Sequence, residues 1–341
     1  MAGAPGTVER TIDMATPNIG IYCEGTFSQA YPTPQQIQDQ ATAEAALASS
    51  GFNNLILAFF HTHPSGNLYY NDTLVAADGL YTGALNPGLP ALLTSLRSAG
   101  FTRIVGSIGP FFSDFDQVMP IIVSNPYWAA KASGLCPNLS TFPPPPNPTA
   151  NVVAKNIAAV SKFLGLDGWE FDMEQEFSMI DLLAWTIMIG SIPSTVTANT
   201  KLVVSGCPYN NMQGWANWVA ASQNCGFQID SFRLQCYDGG CGQQPQQWAN
   251  ALKQACGSSF NGEAFVMPGL GCPTVPCPTC PSDGQNMFAG WSKQGTTGGW
   301  VWTYELIQAC VASSKCACSN PAVSLTAYSS AIANGLKGQT V

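Results

Sequence analysis

Residues 166–177 read LDGWEFDMEQEF, and the alternation inside them decides the architecture. From Trp169 to Glu174 large apolar residues and acids alternate strictly, in a chain where only 9% of residues are charged. Side chains two apart along a β-strand share a face, spaced about 6.5–7 Å per step. A strand here turns Trp169, Phe171 and Met173 to one side and Glu170, Asp172 and Glu174 to the other. A solvated strand with one wet acidic face would show the same pattern. The apolar approach KFLGLDGW (162–169) argues instead for burial.

Working outward, short apolar and β-branched runs recur on both sides. They are NIGIYC (18–23), NNLILAFF (53–60), RIVGSIG (103–109), GWEFDM (168–173), KLVVSG (201–206), SFRLQCY (231–237), EAFVMPGL (263–270) and GGWVWTY (298–304). Between them lie amphipathic segments such as 33–51, 151–165 and 245–257, each ending in Gly, a helix C-terminal signal. Strands alternating with helices pair in parallel, because a parallel return needs a crossover. Eight such units predict a (β/α)8 barrel in a single domain spanning 1–341. A doubly wound open sheet is the alternative, but its Gly-rich phosphate turn is missing. Two segments exceed what the crossovers need: a Pro-rich loop insertion at 131–150 and a Cys-rich one at 271–284. In a barrel the three acids point inward and climb toward the C-terminal mouth, where barrel enzymes place their chemistry.

Composition limits the partners. Twelve Lys and Arg against 20 Asp and Glu leave a net charge of −8, which excludes nucleic acid and an anionic membrane surface as main partners. No stretch reaches the roughly 18–20 apolar residues of a membrane helix. The nearest, MIDLLAWTIMIGSI (179–192), is too short and carries Asp181. Nine Trp and ten Tyr on a neutral polar background suit an uncharged, hydroxyl-rich ligand such as a saccharide, and equally an ordinary core. Thirteen Cys point to disulfides and an extracellular, oxidising setting, with at least one thiol unpaired. Cys277-x-x-Cys280 has no neighbouring His and reads as disulfide-forming, so no metal is expected. The HTH at 61–63 reads as a plain loop. Asn71 and Asn138 open glycosylation sequons. The opening MAGAPGTVERTIDMATP shows no apolar signal-peptide core.

Three adjacent buried carboxylates cannot all remain anions, so some hold protons or find donors. Repulsion and desolvation raise at least one pKa, which places a proton beside an ionised neighbour. That is what a general acid with an electrostatic helper requires. The titration belongs to the cluster as a whole.

These residues resemble the family 18 glycoside hydrolases, the chitinases and their relatives, whose hallmark is D-G-x-D-x-D-x-E on the fourth barrel strand. Here it reads Asp167-Gly168-Trp169-Glu170-Phe171-Asp172-Met173-Glu174, departing only at Glu170. QCYD (235–238) resembles the family's sixth-strand Tyr-Asp pair, and GGWVW (298–302) its last, Trp-bearing strand. SIGP (107–110) resembles a third-strand Ser-x-Gly-Gly, with Pro110 in the last place. The likeness runs over nearly the whole chain.

The resemblance implies a retaining hydrolase acting on chitin or other N-acetylglucosamine-containing glycans by substrate assistance, with no cofactor. Glu174 would protonate the glycosidic oxygen, and the substrate's acetamido oxygen would attack the anomeric carbon. Asp172 would orient the acetamido group, Tyr237 would hydrogen-bond its oxygen, and Asp238 would support the distorted sugar. Glu170 joins this catalytic set by position. Trp302 would floor the sugar site, with Trp300 as rival, and Asp167 and Tyr22 complete the substrate-binding expectations. Glu170 in place of Asp also leaves a second reading open: a weak or inactive saccharide-binding or structural protein on the same barrel. Oligomeric state is not legible.

Overall fold

The computed structural model describes residues 17–111, 113–124, 128, 136, 151–196, 200–313, 316, 318 and 322–341. Eight parallel strands form the barrel: β1 (Asn18–Cys23), β2 (Asn54–Thr62), β6 (Arg103–Ile108), β7 (Gly168–Phe171), β8 (Val203–Gly206), β9 (Ile229–Gln235), β10 (Val266–Gly271) and β11 (Gly298–Trp302). Each pairs with the next, and β1 pairs with both β2 and β11, so the sheet closes. Three short strands, β3 (Leu68–Tyr70), β4 (Thr73–Ala77) and β5 (Leu80–Tyr81), extend the end of β2 as an antiparallel meander.

The apolar side chains divide into two sets. One fills the barrel interior and includes Tyr22, Ile56, Val105, Met267 and Trp300. The other packs strands against helices and includes Trp169, Phe171, Trp185, Trp218 and Phe232. The opening alternation sorts its residues between these layers as predicted. Trp169 donates its indole N–H to Ser161 Oγ at 2.8 Å, on helix Val152–Leu164, and Phe171 meets Phe115, Trp185 and Trp218. That helix is capped by Asn151, whose side chain accepts from Val153 and Ala154, and it ends at left-handed Gly165.

The sequence boundaries shift in places. β7 stops at Phe171 rather than Met173, because the chain rises out of the ladder there. Its last acids stay tied to the neighbouring segment through Asp172 N–H to Ile108 O (2.9 Å) and Glu174 N–H to Pro110 O (3.5 Å). Gly109 is needed beside them: its φ is 144°, and a Cβ would lie 2.0 Å from the Asp172 carbonyl oxygen. His61, read as loop, lies on the long β2 instead.

Four disulfides join Cys136–Cys225, Cys241–Cys277, Cys280–Cys318 and Cys310–Cys316; Cys23, Cys207, Cys236, Cys256 and Cys272 are unbridged. The expected insertion at 271–284 follows β10, and its bridge to Cys241 ties it to the segment after β9. The insertion expected at 131–150, with Asn138, lies outside the described residues apart from Cys136. Asn71 is engaged: its amide donates to Glu24 O and to Ser28 Oγ (2.9 Å), and its oxygen accepts from Phe59 N–H (3.0 Å). Among the described residues no helix is long and apolar enough to cross a membrane.

Candidate active site

The three acids sit at three depths. Glu170 is fully buried, Asp172 is 2% exposed, and Glu174 is partly open. Each depth carries its own chemistry.

Glu170 lies across the register from Ser107 on β6 and Ser205 on β8. Buried Arg233, on β9, donates to its Oε2, and the Tyr22 hydroxyl donates to its Oε1. The same guanidinium nitrogen donates to Ser205 Oγ at 3.0 Å. An arginine is the natural partner for so deep a carboxylate, since an unpaired charge there is costly. Glu170, expected in the catalytic set, is thus sealed in an ion pair beneath the two outer acids. Tyr22, expected near substrate, is likewise fully buried and spent on Glu170.

Asp172 accepts from Gln235 Nε2 at 3.1 Å. Its pKa is pushed well above the usual carboxylate value, first by burial, then by Glu174 and Glu170, with hydrogen bonds from the Cys207 thiol and Gln235 working the other way. Glu174 accepts from the same Gln235 amide at 3.3 Å, and its backbone carbonyl accepts from the Tyr209 hydroxyl at 2.7 Å. Partial burial raises its pKa, the Gln235 hydrogen bond opposes this, and Asp238 adds to it. Among the described residues no Lys or Arg pairs with Glu174. The site thus holds two carboxyl groups disposed to keep a proton, bridged by one neutral amide.

Tyr237 follows β9 at the mouth, 5% exposed, its ring stacked on Trp302 at 6.4 Å and edge-on to Trp300 at 5.6 Å. Asp238 is exposed, opens a short 3-10 turn with a left-handed φ of 48°, and donates its N–H to Pro276 O at 3.0 Å. The Cys241–Cys277 bridge fastens this turn to the Cys-rich loop, which gives that insertion a positional role.

Depth also separates the two tryptophans. Trp300, expected in the binding set as the rival of Trp302, is fully buried in the barrel interior and donates its indole N–H to Met267 O at 3.0 Å. Trp302 is partly open at the strand end, 5.0 Å from the Tyr22 ring and 5.5 Å from Phe59. Asp167 was expected in the same set. It precedes β7 at the opposite end of the barrel, accepting from Arg97 Nη2 (2.9 Å) and Ile104 N–H (2.7 Å).

Sequence reading missed Arg233, Gln235, Cys207, Tyr209, Phe59 and exposed Phe111, whose ring stacks on His61 at 6.0 Å. For Arg233 and Gln235 a signal existed. RLQ within β9 places two polar residues on the inward face of a buried strand. Among the described residues no group of three or more His, Cys, Asp or Glu is arranged to hold a metal ion.

No protein-family model matches the chain, and no curated protein does. Solved structures do. The catalytic domain of a family GH18 chitinase from the fern Peteris ryukyuensis superposes with a TM-score of 0.53 at 15% identity, over 92% of this chain and 98% of that one. A GH18 chitinase from Pseudoalteromonas aurantia gives 0.52 at 13% identity, over 86% and 99%. A chitinase from Bacteroides thetaiotaomicron gives 0.53 at 9% identity, over 95% and 98%. At such identities the likeness establishes a shared barrel fold.

Proposed function

We propose that the protein is a secreted, chitinase-like retaining hydrolase that cleaves N-acetylglucosamine-containing glycans with the substrate's own acetamido group as nucleophile. One observation carries this reading: Glu174 stands partly open at the barrel mouth, disposed to hold a proton, with no Lys or Arg paired to it among the described residues, two positions beyond buried Asp172. The barrel shared with chitinases and the four disulfides support it.

In this mechanism Glu174 gives its proton to the glycosidic oxygen as the bond to the anomeric carbon breaks. The acetamido oxygen closes on that carbon from the other face, forming an oxazolinium ion. Asp172 accepts the acetamido N–H and faces the developing positive charge, and the Tyr237 hydroxyl steadies the acetamido oxygen. Trp302 offers an apolar floor beneath the ring, and Asp238 bears on the distorted sugar. Water, activated by the Glu174 carboxylate, then opens the ion with net retention. Neither a metal nor a cofactor enters.

The test is hydrolysis of a chromogenic N-acetylglucosamine oligomer by the wild type and Glu174→Gln. Loss of about 100-fold or more in the variant is expected, the scale of a general acid, and equal rates would discard the proposal. The Arg-paired Glu170 favours a second reading, a silent saccharide-binding barrel. Tight binding of chitin oligomers by a wild type that does not turn them over would establish it.

A further inference from the structure

The inner end of the acid ladder is built unlike the outer end. Glu170 and Arg233 are each 1% exposed or less, and they meet across the barrel from strands that are not neighbours. The contact is reinforced by Tyr22 and Ser205, so both carboxylate oxygens are occupied. Burying such a pair costs several kcal/mol per ion before their attraction is counted, and packed apolar residues of similar volume often serve stability as well. Its presence two positions below Asp172 therefore calls for a reason other than stability.

We propose that Arg233 is a positioning residue: as fixed countercharge it keeps Glu170 a permanent anion beneath Asp172, so the ladder's mobile proton is confined to Asp172 and Glu174. Its kinetic consequence rests on the hydrolase reading; its electrostatic content does not.

The groups facing this proton are few. Glu170 and Glu174 flank Asp172 along the chain, Tyr22 faces it from β1, Cys207 from the end of β8, Gln235 from β9 and Tyr237 from just past β9, while Asp238 faces Glu174 from the open side. Burial lifts the two phenols and the thiol well above their usual values, so none of them competes for the proton at neutral pH. Among the described residues Glu170 is the remaining fully buried carboxylate beside Asp172. Without Arg233 it would take the proton itself, since an unpaired buried carboxylate neutralises. With Arg233 in place it acts on Asp172 as a standing negative charge, and that charge helps hold the Asp172 proton.

The experiment is a carboxyl-carbon NMR titration of protein labelled at Asp and Glu. The proteins are the wild type, Arg233→Met, Arg233→Lys and the neutral pair Glu170→Gln with Arg233→Met. In the wild type the Glu170 signal is expected at its ionised position at neutral pH, as its contact with Arg233 requires. In Arg233→Met it moves to the protonated position, and Arg233→Lys, which keeps the charge, restores it. The neutral pair removes both buried ions together and so keeps a foldable variant if Arg233→Met alone collapses. There the Asp172 midpoint falls by about half a pH unit or more, and the alkaline limb of kcat falls with it. A Glu170 signal at the protonated position at neutral pH in the wild type, or an Asp172 midpoint unmoved in the neutral pair, would overturn the proposal. A wild type that cleaves no oligomer defeats the hydrolase reading alone, while the titration still judges Arg233.

Discussion

Glu305 and Glu174 both lie just past the end of a barrel strand, both partly buried, and they are driven in opposite directions. Glu305, on helix Tyr304–Ala312, gathers the backbone N–H groups of Glu24, Gly25 and Thr26, each at 3.0 Å, together with the Thr26 hydroxyl at 2.7 Å and the Cys23 thiol at 3.2 Å. Burial alone would raise its pKa, but these donors together outweigh it and the net shift is downward. Among the described residues Glu174 receives one side-chain donor, the Gln235 amide, and burial wins. Donor count, more than depth, decides which carboxyl anchors a loop and which can hand over a proton.

The largest effect should come from the deeper partner of Glu174. Asp172→Asn keeps the shape and removes a carboxyl group that can ionise as positive charge develops at the reaction centre. We expect kcat on the oligomer to fall by about 100-fold or more, with KM within a few-fold, since the lost interaction belongs to the transition state. A variant that raises KM and spares kcat would move Asp172 from chemistry to binding.

Glu305→Gln tests the other side of the comparison through stability. A carboxyl whose folded pKa lies below its unfolded value stabilises the fold above the unfolded value and loses that contribution as pH falls through the folded one. The variant should therefore lose about 2–3 kcal/mol at neutral pH by denaturant unfolding, the scale of charged hydrogen bonds. The gap to the wild type should close as pH drops below about 4. Asp172 has the opposite sign: its raised pKa costs stability progressively as pH climbs above the unfolded value. A Glu305→Gln gap that is constant with pH would mean the five donors do not hold a charge.

Trp302→Ala should cost less, about tenfold in KM for long oligomers, in line with one lost aromatic contact. Trp300→Phe should change KM far less and act mainly on stability, because that ring is fully buried and meets the mouth only through the edge of Tyr237. Equal KM effects at the two positions would undo the distinction by depth.

That distinction also marks where the sequence stopped being legible. The barrel could be read because alternation, β-branched runs and terminal glycines are local signals, and each reports one strand or one helix. The acid ladder could be read for the same reason: Glu170, Asp172 and Glu174 are neighbours in sequence. Period-two reasoning puts Trp300 and Trp302 on one face and says nothing of depth. Register does, setting Trp300 opposite Gly20 and Gly269 inside the barrel and Trp302 opposite Gly271 at its rim. The motif likewise does not reveal which end of the barrel its first residue, Asp167, occupies; Arg97 and Ile104 hold it there. The Arg233–Glu170 pair joins residues 63 apart on β7 and β9, which no local pattern connects.

The smallest effect, and the finest test of donor counting, is at Gln235. Its single amide nitrogen donates to Asp172 and to Glu174, at 3.1 and 3.3 Å. Those bonds favour the ionised forms, so Gln235 works against the burial that keeps the proton in place. Gln235→Met retains an unbranched side chain of similar length and removes the donor. Both carboxyl groups should then hold their proton to higher pH, and the alkaline limb of kcat should move upward by about half a unit, less than 1 kcal/mol. The direction carries the information, because Glu305 shows what additional donors do and this variant subtracts the one that Glu174 has. A limb that stays in place or moves down would mean that packing, and not the supply of donors, sets the proton at the barrel mouth.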